Sequence, residues 1–223
     1  RDITISIGNL FGKICEELKL DAKEVINAAN YGYSRNKILF PGAGVGGGCL
    51  VKDPYLLLAS MKGKIDLNLI KTSRKINDSM ILDTINLIEQ SFDKASRKID
   101  DAKILVLGFA FKGYPNTDDI RFSPTLPIIE YLKKMNAKIF GYDPVVPEKE
   151  IKNLGISYTS NIYSEKKFDT IIIMNNNPEF KNLNFEKIQD KKTPLIVIDG
   201  WYLYDVETMK KMNIEYYAIG SKN

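Results

Sequence analysis

Lys103-Ile104-Leu105-Val106-Leu107-Gly108 limits the possible folds most: an unbroken apolar run stops at a glycine. A short run with no polar alternation reads as a strand buried on both faces, as in parallel sheets. Residues 137–142, 170–174 and 195–199 repeat the pattern. Residues 123–135 and 207–212 carry helical spacing, and residues 215–219 fit an edge strand. Parallel strands need long crossovers, usually helical. The second part of the chain is therefore expected to be a doubly wound, Rossmann-like α/β sheet.

The first part has a different rhythm. Ile3, Ile7, Leu10, Ile14 and Leu18 recur at helical spacing, which predicts a helix that buries this stripe. Cys15 is placed on the same face as a small buried hydrophobe. Asp21 with Glu24 forms a capping-box pattern for a second helix through Ala29. Residues 31–48 read as loop. Asp53-Pro54 suits a helix start, and Gly63 its end. Residues 67–95 contain neither proline nor glycine and keep helical phase through Ile70, Ile76, Met80, Ile81, Ile88 and Phe92. A helix of that length suits an oligomer spine or a link between domains. We place an all-helical domain at residues 1–98 and the α/β domain at 99–223. Arg1-Asp2-Ile3 enters the helical pattern with no start signal, as a cut through a longer protein would.

Composition narrows the chemistry. The chain of 223 residues is 44% hydrophobic, enough for a sizeable core. It has no histidine, so a Ser-His-Asp triad, a histidine general acid and a histidine metal ligand are all excluded. Two cysteines alone make a structural zinc site improbable, so no metal is expected. They also fit a reducing cytoplasm. The net charge of +4 is spread among interspersed acids and lysines, which argues against nucleic acid. No apolar run is long enough to span a membrane.

Two glycine-rich segments remain. Gly108-Phe109-Ala110-Phe111-Lys112-Gly113 follows a strand and nearly matches the dinucleotide fingerprint G-x-G-x-x-G. Ala110 replaces the middle glycine, and residues 114–119 delay the helix. Three readings stay open: NAD at this turn, a nucleotide diphosphate held more loosely with Lys112, or a plain strand-to-loop turn. The other segment, Pro41-Gly42-Ala43-Gly44-Val45-Gly46-Gly47-Gly48, delivers Cys49 to Leu50-Val51-Lys52-Asp53. A linker is the bland reading. A thiol beside a lysine and near a helix start carries more thiolate and reacts as a nucleophile, which is the reading we favour. Asp53 reads by itself as a helix cap before Pro54.

The wording Gly44-Val45-Gly46-Gly47-Gly48-Cys49-Leu50-Val51-Lys52-Asp53 resembles the catalytic loop of the UDP-glucose/GDP-mannose dehydrogenase family. Phe109-Ala110-Phe111-Lys112, Thr117-Asp118-Asp119-Ile120-Arg121, Ser123-Pro124 and Tyr142-Asp143-Pro144 are similar to its C-terminal signature. The resemblance spans nearly the whole chain. It implies the C-terminal two-thirds of such an enzyme: a central dimerisation domain and a UDP-binding domain, without the domain that binds most of the cofactor, NAD. The family's catalytic lysine and asparagine would lie just before Arg1.

The implied reaction oxidises C6 of a UDP-sugar twice, from alcohol to acid. Cys49 is the implied nucleophile and Asp53 its partner. Arg1, Arg35, Phe40, Gly42, Gly44, Gly46, Phe111 and Lys112 are the implied substrate contacts, with Arg35 reaching a neighbouring subunit. Lys52 and Arg121 would face NAD. The first substrate choice is UDP-N-acetylmannosamine. UDP-glucose and UDP-N-acetylglucosamine are alternatives, as is a non-catalytic nucleotide-binding or dimerisation module. The sequence departs from the family at Gly48, where many members have histidine, and at Trp201-Tyr202, where many have arginine after Asp199-Gly200. It also departs at residues 175–180, a segment that usually contains histidine. A homodimer or higher homo-oligomer is the implied assembly.

Overall fold

The computed structural model describes residues 1–35, 37–164, 167–189 and 193–221. Four helices come first: α1 (Asp2–Glu17), α2 (Ala22–Asn30), α3 (Asp53–Met61) and α4 (Asn68–Lys94). The α/β part follows with β1 (Lys103–Leu107), α5 (Thr125–Lys134), β2 (Lys138–Tyr142), α6 (Glu148–Asn153), β3 (Ser157–Tyr158) and β4 (Thr170–Ile173). A 3₁₀ turn (Pro178–Asn182), α7 (Phe185–Ile188), β5 (Leu195–Asp199), α8 (Val206–Lys211) and β6 (Ile214–Ala218) complete it. All strand pairs are parallel, in the order β3-β2-β1-β4-β5-β6. The expected doubly wound sheet is therefore present, with β6 at its edge.

Alternate residues of β1 serve opposite cores. Ile104 and Val106 join Ile128, Leu132 and Ile151 on one face. Leu105 and Leu107 join Phe180, Phe185, Ile188 and Met209 on the other. This two-sided burial is why the strands read as apolar runs. Met80, Leu87, Ile88 and Phe92 of α4 belong to the first of these cores. The boundary proposed at residues 98 and 99 falls in the turn after α4, while the core beneath it is continuous.

The expectation for α1 is corrected. Ile7, Leu10, Ile14 and Leu18 are 41–61% exposed, and the buried residues are Asp2, Ser6, Gly8, Asn9, Gly12 and Cys15. The small residues let the chain come close: a Cβ on Gly8 would lie 2.3 Å from the Leu39 carbonyl oxygen, and one on Gly12 2.8 Å from Pro41. Helix α1 thus turns a small, polar face inward and leaves its apolar stripe outside. Cys15 sits apart from the stripe in a small cluster with Ala22 and Ile26. Asp21 caps α2 as expected, accepting from the Glu24 N–H at 3.0 Å. At α3, Lys52 occupies the cap position and Asp53 is already the first helical residue, so the reading of Asp53 as the cap does not hold.

The second face of the sheet holds a tyrosine cluster. Tyr216 donates to the buried Asp199 carboxylate at 2.8 Å, and Tyr202 donates to Asp21. Burial first, then neighbouring acids, pushes the phenols of Tyr202 and Tyr216 above their usual range. Burial and Glu179 push Tyr142 up to about 12. These phenols keep their protons in the folded state at pH values where the unfolded chain, with tyrosines near 10, has lost them. Their contribution is complete below about pH 10 and is lost as the pH rises above it, for Tyr142 through about 12. Melting temperature is expected to fall across that window, with the tyrosinate absorbance of the buried phenols appearing together with unfolding. Full tyrosinate absorbance near pH 10 in a still-folded chain would contradict this.

Candidate active site

Parallel register places Gly108, Asp143, Met174 and Gly200 together at the carboxyl ends of β1, β2, β4 and β5. Ligands of open α/β sheets bind at this edge. The glycine-rich loop of the helical part lies across it. The Ala43 N–H donates to the Gly200 carbonyl at 2.9 Å, and Gly42 packs against the Trp201 ring. Gly44 packs on Pro124. The Gly47 N–H donates to the Arg121 carbonyl at 3.3 Å. A Cβ on Gly46 would lie 2.5 Å from the Phe122 carbonyl oxygen, and one on Gly47 2.8 Å from the Phe111 ring. Gly47 also has φ +87°, which side chains rarely adopt. Glycine is therefore demanded here by close approach. The two glycine-rich segments, far apart in sequence, form one seam.

Cys49 emerges exposed from this seam. Its carbonyl accepts from the Asp53 N–H at 2.9 Å and the Lys52 N–H at 3.2 Å, so helical bonding starts at the cysteine itself. Lys52 Nζ pairs with Asp53 at 2.6 Å, which holds the ammonium above the usual lysine range. Arg121 pairs with Asp119 at 2.8 Å; that bond raises the guanidinium and keeps the Asp119 carboxyl below the usual range. Both cations lie near enough to Cys49 to interact with a negative charge on its sulfur. Beside the sulfur, a Cβ on Gly48 would meet no atom within 4 Å.

The turn 108–113 is held from inside. Asp143 Oδ2 accepts the N–H groups of Phe109 and Ala110 at 2.7 and 3.2 Å, and Oδ1 accepts those of Val145 and Val146 at 2.9 and 3.1 Å. Asn176 Oδ1 accepts the Gly113 and Tyr114 N–H groups, each at 3.1 Å. The Phe109 and Ala110 donors, which in a dinucleotide fold would meet a pyrophosphate, are thus occupied by a carboxylate. This turn does not fit NAD. What it presents outward is half-buried Phe111 with Lys112 Nζ 5.5 Å from its ring.

The structure therefore brings together Cys49, Lys52, Asp53, Gly42, Gly44, Gly46, Phe111 and Arg121, with Lys112 on the same turn as Phe111. Phe40 is 45% exposed just before the loop. Arg1 and Arg35 are exposed, and no contact links them to the loop among the described residues. Asn9, Arg74, Asn77, Asp143 and Phe122 went unnoticed in the sequence as site-forming residues. Polar residues at helical spacing inside the stripe of α4 were the available signal for Arg74 and Asn77. Two cavities, of ≈ 280 Å³ lined by Arg97, Lys103 and Asp169 and of ≈ 300 Å³ lined by Leu58, Ile65 and Asn68, lie away from Cys49. Among the described residues no acidic, cysteine or histidine cluster suits a metal ion.

Comparison with known proteins shows the family. The profile of the UDP-glucose/GDP-mannose dehydrogenase family, central domain, matches residues 1–79, and that of the same family's UDP binding domain matches residues 105–206. A UDP-N-acetyl-D-mannosamine dehydrogenase of Pyrococcus horikoshii is 37% identical over 90% of this chain and 45% of its own length. A UDP-glucose 6-dehydrogenase of Rickettsia conorii is 30% identical over 98% of this chain and 51% of its own. The solved structure of a UDP-D-ManNAc dehydrogenase from Pyrococcus horikoshii superposes with a TM-score of 0.81 at 34% identity, covering 100% of this chain and 49% of that one. The chain thus spans about half the length of the curated relatives it matches, not the two-thirds that the resemblance implied. Two matching domains in the family's order, on a fold that superposes from end to end, place this chain in the UDP-glucose/GDP-mannose dehydrogenase family.

Proposed function

We propose that this chain carries the sugar-nucleotide site and the nucleophile of an NAD-dependent UDP-sugar 6-dehydrogenase, with UDP-N-acetylmannosamine as substrate. The observation that supports it most is the seating of the Cys49 loop on the Phe111–Arg121 segment, at the edge of the sheet where a nucleotide would lie. Phe111 and Lys112 take the UDP part, and residues 40–46 line the sugar. NAD, when bound, would supply the hydride acceptor for the two oxidations at C6. Cys49 sulfur adds to the C6 aldehyde and its oxygen takes a proton, giving a thiohemiacetal. Loss of hydride from that carbon together with the proton of its hydroxyl leaves a thioester. Water then breaks the C–S bond, releasing carboxylate and restoring the thiol. Asp53 and Lys52 stand one turn of chain from the sulfur, where Asp53 can orient that water and Lys52 can face the cofactor with Arg121.

The exposed stripe Ile7, Leu10, Ile14 and Leu18 gives a second copy an apolar face, which supports a homo-oligomer with Arg35 reaching across to the neighbour's substrate. An exposed catalytic thiol also needs a reducing compartment, which supports a cytoplasmic setting. No helix of the described residues is long and apolar enough to cross a membrane.

Because the turn 108–113 does not fit a dinucleotide, this chain by itself is expected to bind UDP-sugars without reducing NAD. At about 100-fold over its Kd, UDP-N-acetylmannosamine should add about 2.7 kcal/mol of stability and slow alkylation of Cys49. UDP-glucose should do both less well. A chain neither stabilised nor protected by any UDP-sugar would overturn the reading in favour of a dimerisation module. Stronger effects from UDP-glucose would shift the substrate.

A further inference from the structure

Both ends of the cysteine loop run into one polar chain, buried from Asn9 to Arg74 and half-exposed at Asp78 and Tyr55. At the near end, the Gly42 N–H donates to Asn9 Oδ1 at 3.1 Å, and Asn9 Nδ2 donates to Asn77 Oδ1 at 2.9 Å. Asn77 Nδ2 continues to the Asp2 carbonyl and carboxylate at 3.0 and 2.8 Å. At the far end, Arg74 Nη1 donates to the carbonyl of Leu50, the residue after Cys49, at 2.9 Å, and to Asp2 Oδ1 at 2.6 Å. Nε and Nη2 of Arg74 fork onto Asp78 Oδ1 at 3.1 and 2.9 Å, and Tyr55 of α3 closes the chain on Asp78 Oδ2 at 3.0 Å.

Residues 74, 77 and 78 share one face of α4, so a single rigid helix holds the loop on both sides of the thiol. The Arg74 side chain is 1% exposed, and an arginine so buried requires its partners. The middle of the loop is held differently, by Phe111, Phe122 and Arg121 from the sheet side.

We infer that Arg74 is the positioning residue for Cys49. It fixes the Leu50 carbonyl and thereby aims the sulfur at the sugar end of the nucleotide, while Phe111 and Lys112 hold the UDP end independently. The inference rests on the proposed role of Cys49 at a UDP-sugar site. It goes further in separating the aim of the thiol from the affinity for UDP.

Arg74→Lys keeps the charge but loses the fork, which a point-charge ammonium does not reproduce. The test compares alkylation of Cys49 by iodoacetamide with and without saturating UDP-N-acetylmannosamine, alongside calorimetric binding of UDP, in the parent chain and in the variant. Protection of Cys49 by the sugar nucleotide is expected to drop on the order of tenfold, within the 10²-fold that a 1 Å misplacement can cost. UDP affinity should stay within about twofold, because its contacts lie on the other segment.

A folded Arg74→Lys chain with undiminished protection would refute the positioning role. So would loss of UDP binding in parallel, since that signals general structural damage. Absence of protection in the parent would instead sink the proposed function. If Arg74→Lys fails to fold, Asp78→Ala decides. It removes only the half-exposed partner that orients the guanidinium. A fall in protection of about threefold or more supports the inference, and unchanged protection overturns it.

Discussion

Asp143→Ala is expected to cost about 3–5 kcal/mol of stability and to remove UDP binding. The side chain is 3% exposed and accepts four backbone N–H groups, two from the turn after β1 and two from the chain leaving β2. Each buried donor left without an acceptor costs about 1–3 kcal/mol, and partial rehydration keeps the sum below the simple total. For a chain of this size, about 2–4 °C per kcal/mol gives a melting point roughly 10 °C lower. The functional loss follows from position. The same turn carries Phe111, whose ring meets Gly47, and Lys112. Asp143→Asn should be nearly as harmful, because its amide nitrogen must face one pair of donors. Melting curves and UDP calorimetry check both variants. A melting point within a degree or two of the parent would show that the turn is held by something else.

Cys49→Ser is expected to leave the fold intact and to abolish the chemistry. On this chain, the parent should show one thiol that alkylates at once and one that reacts only on unfolding, since Cys15 is 2% exposed. The serine variant should show no fast thiol. Opening the fold by about 4 kcal/mol at Cys15 corresponds to a rate ratio on the order of 10³ between the two sites. In a polypeptide joining this chain to the NAD-binding half of a relative, the variant should form uronate at least about 10³-fold more slowly, removal of a covalent nucleophile costing up to about 10⁶ elsewhere. A serine hydroxyl is a poor nucleophile without a neighbouring base, and this chain has no histidine to supply one. Retained UDP-sugar binding would separate chemistry from affinity. Undiminished uronate formation would remove Cys49 from the mechanism.

The sheet was readable because residues 104–107, 170–173 and 195–199 are buried on both faces, and burial of that kind writes itself as an apolar run. Helix α4 was readable for its length. Strand β3 with two residues, α7 with four, and the 3₁₀ turn are too short to show any period. Helix α1 misled for another reason: amphipathic spacing marks an apolar face without saying what covers it. Here the protein core took Gly8, Asn9 and Gly12 instead. At the site, Cys49 and the Phe111–Lys112 pair stood out through local wording. Their meeting across the seam did not, because a backbone bond such as Gly47 to Arg121 has no residue signature. The polar chain through Arg74 and Asn77 was hidden for the same reason that buried charges are surprising: its partners come from four separate segments.

The void beside Gly48 has an evolutionary consequence. Gly46 and Gly47 are frozen by the walls they touch, so mutation there is punished at once. At Gly48 a lineage can trial bulkier neighbours for the sulfur without disturbing the scaffold. If Cys49 acts on a UDP-sugar as proposed, preference among related sugars is free to drift at this address while the reactive step stays where it is.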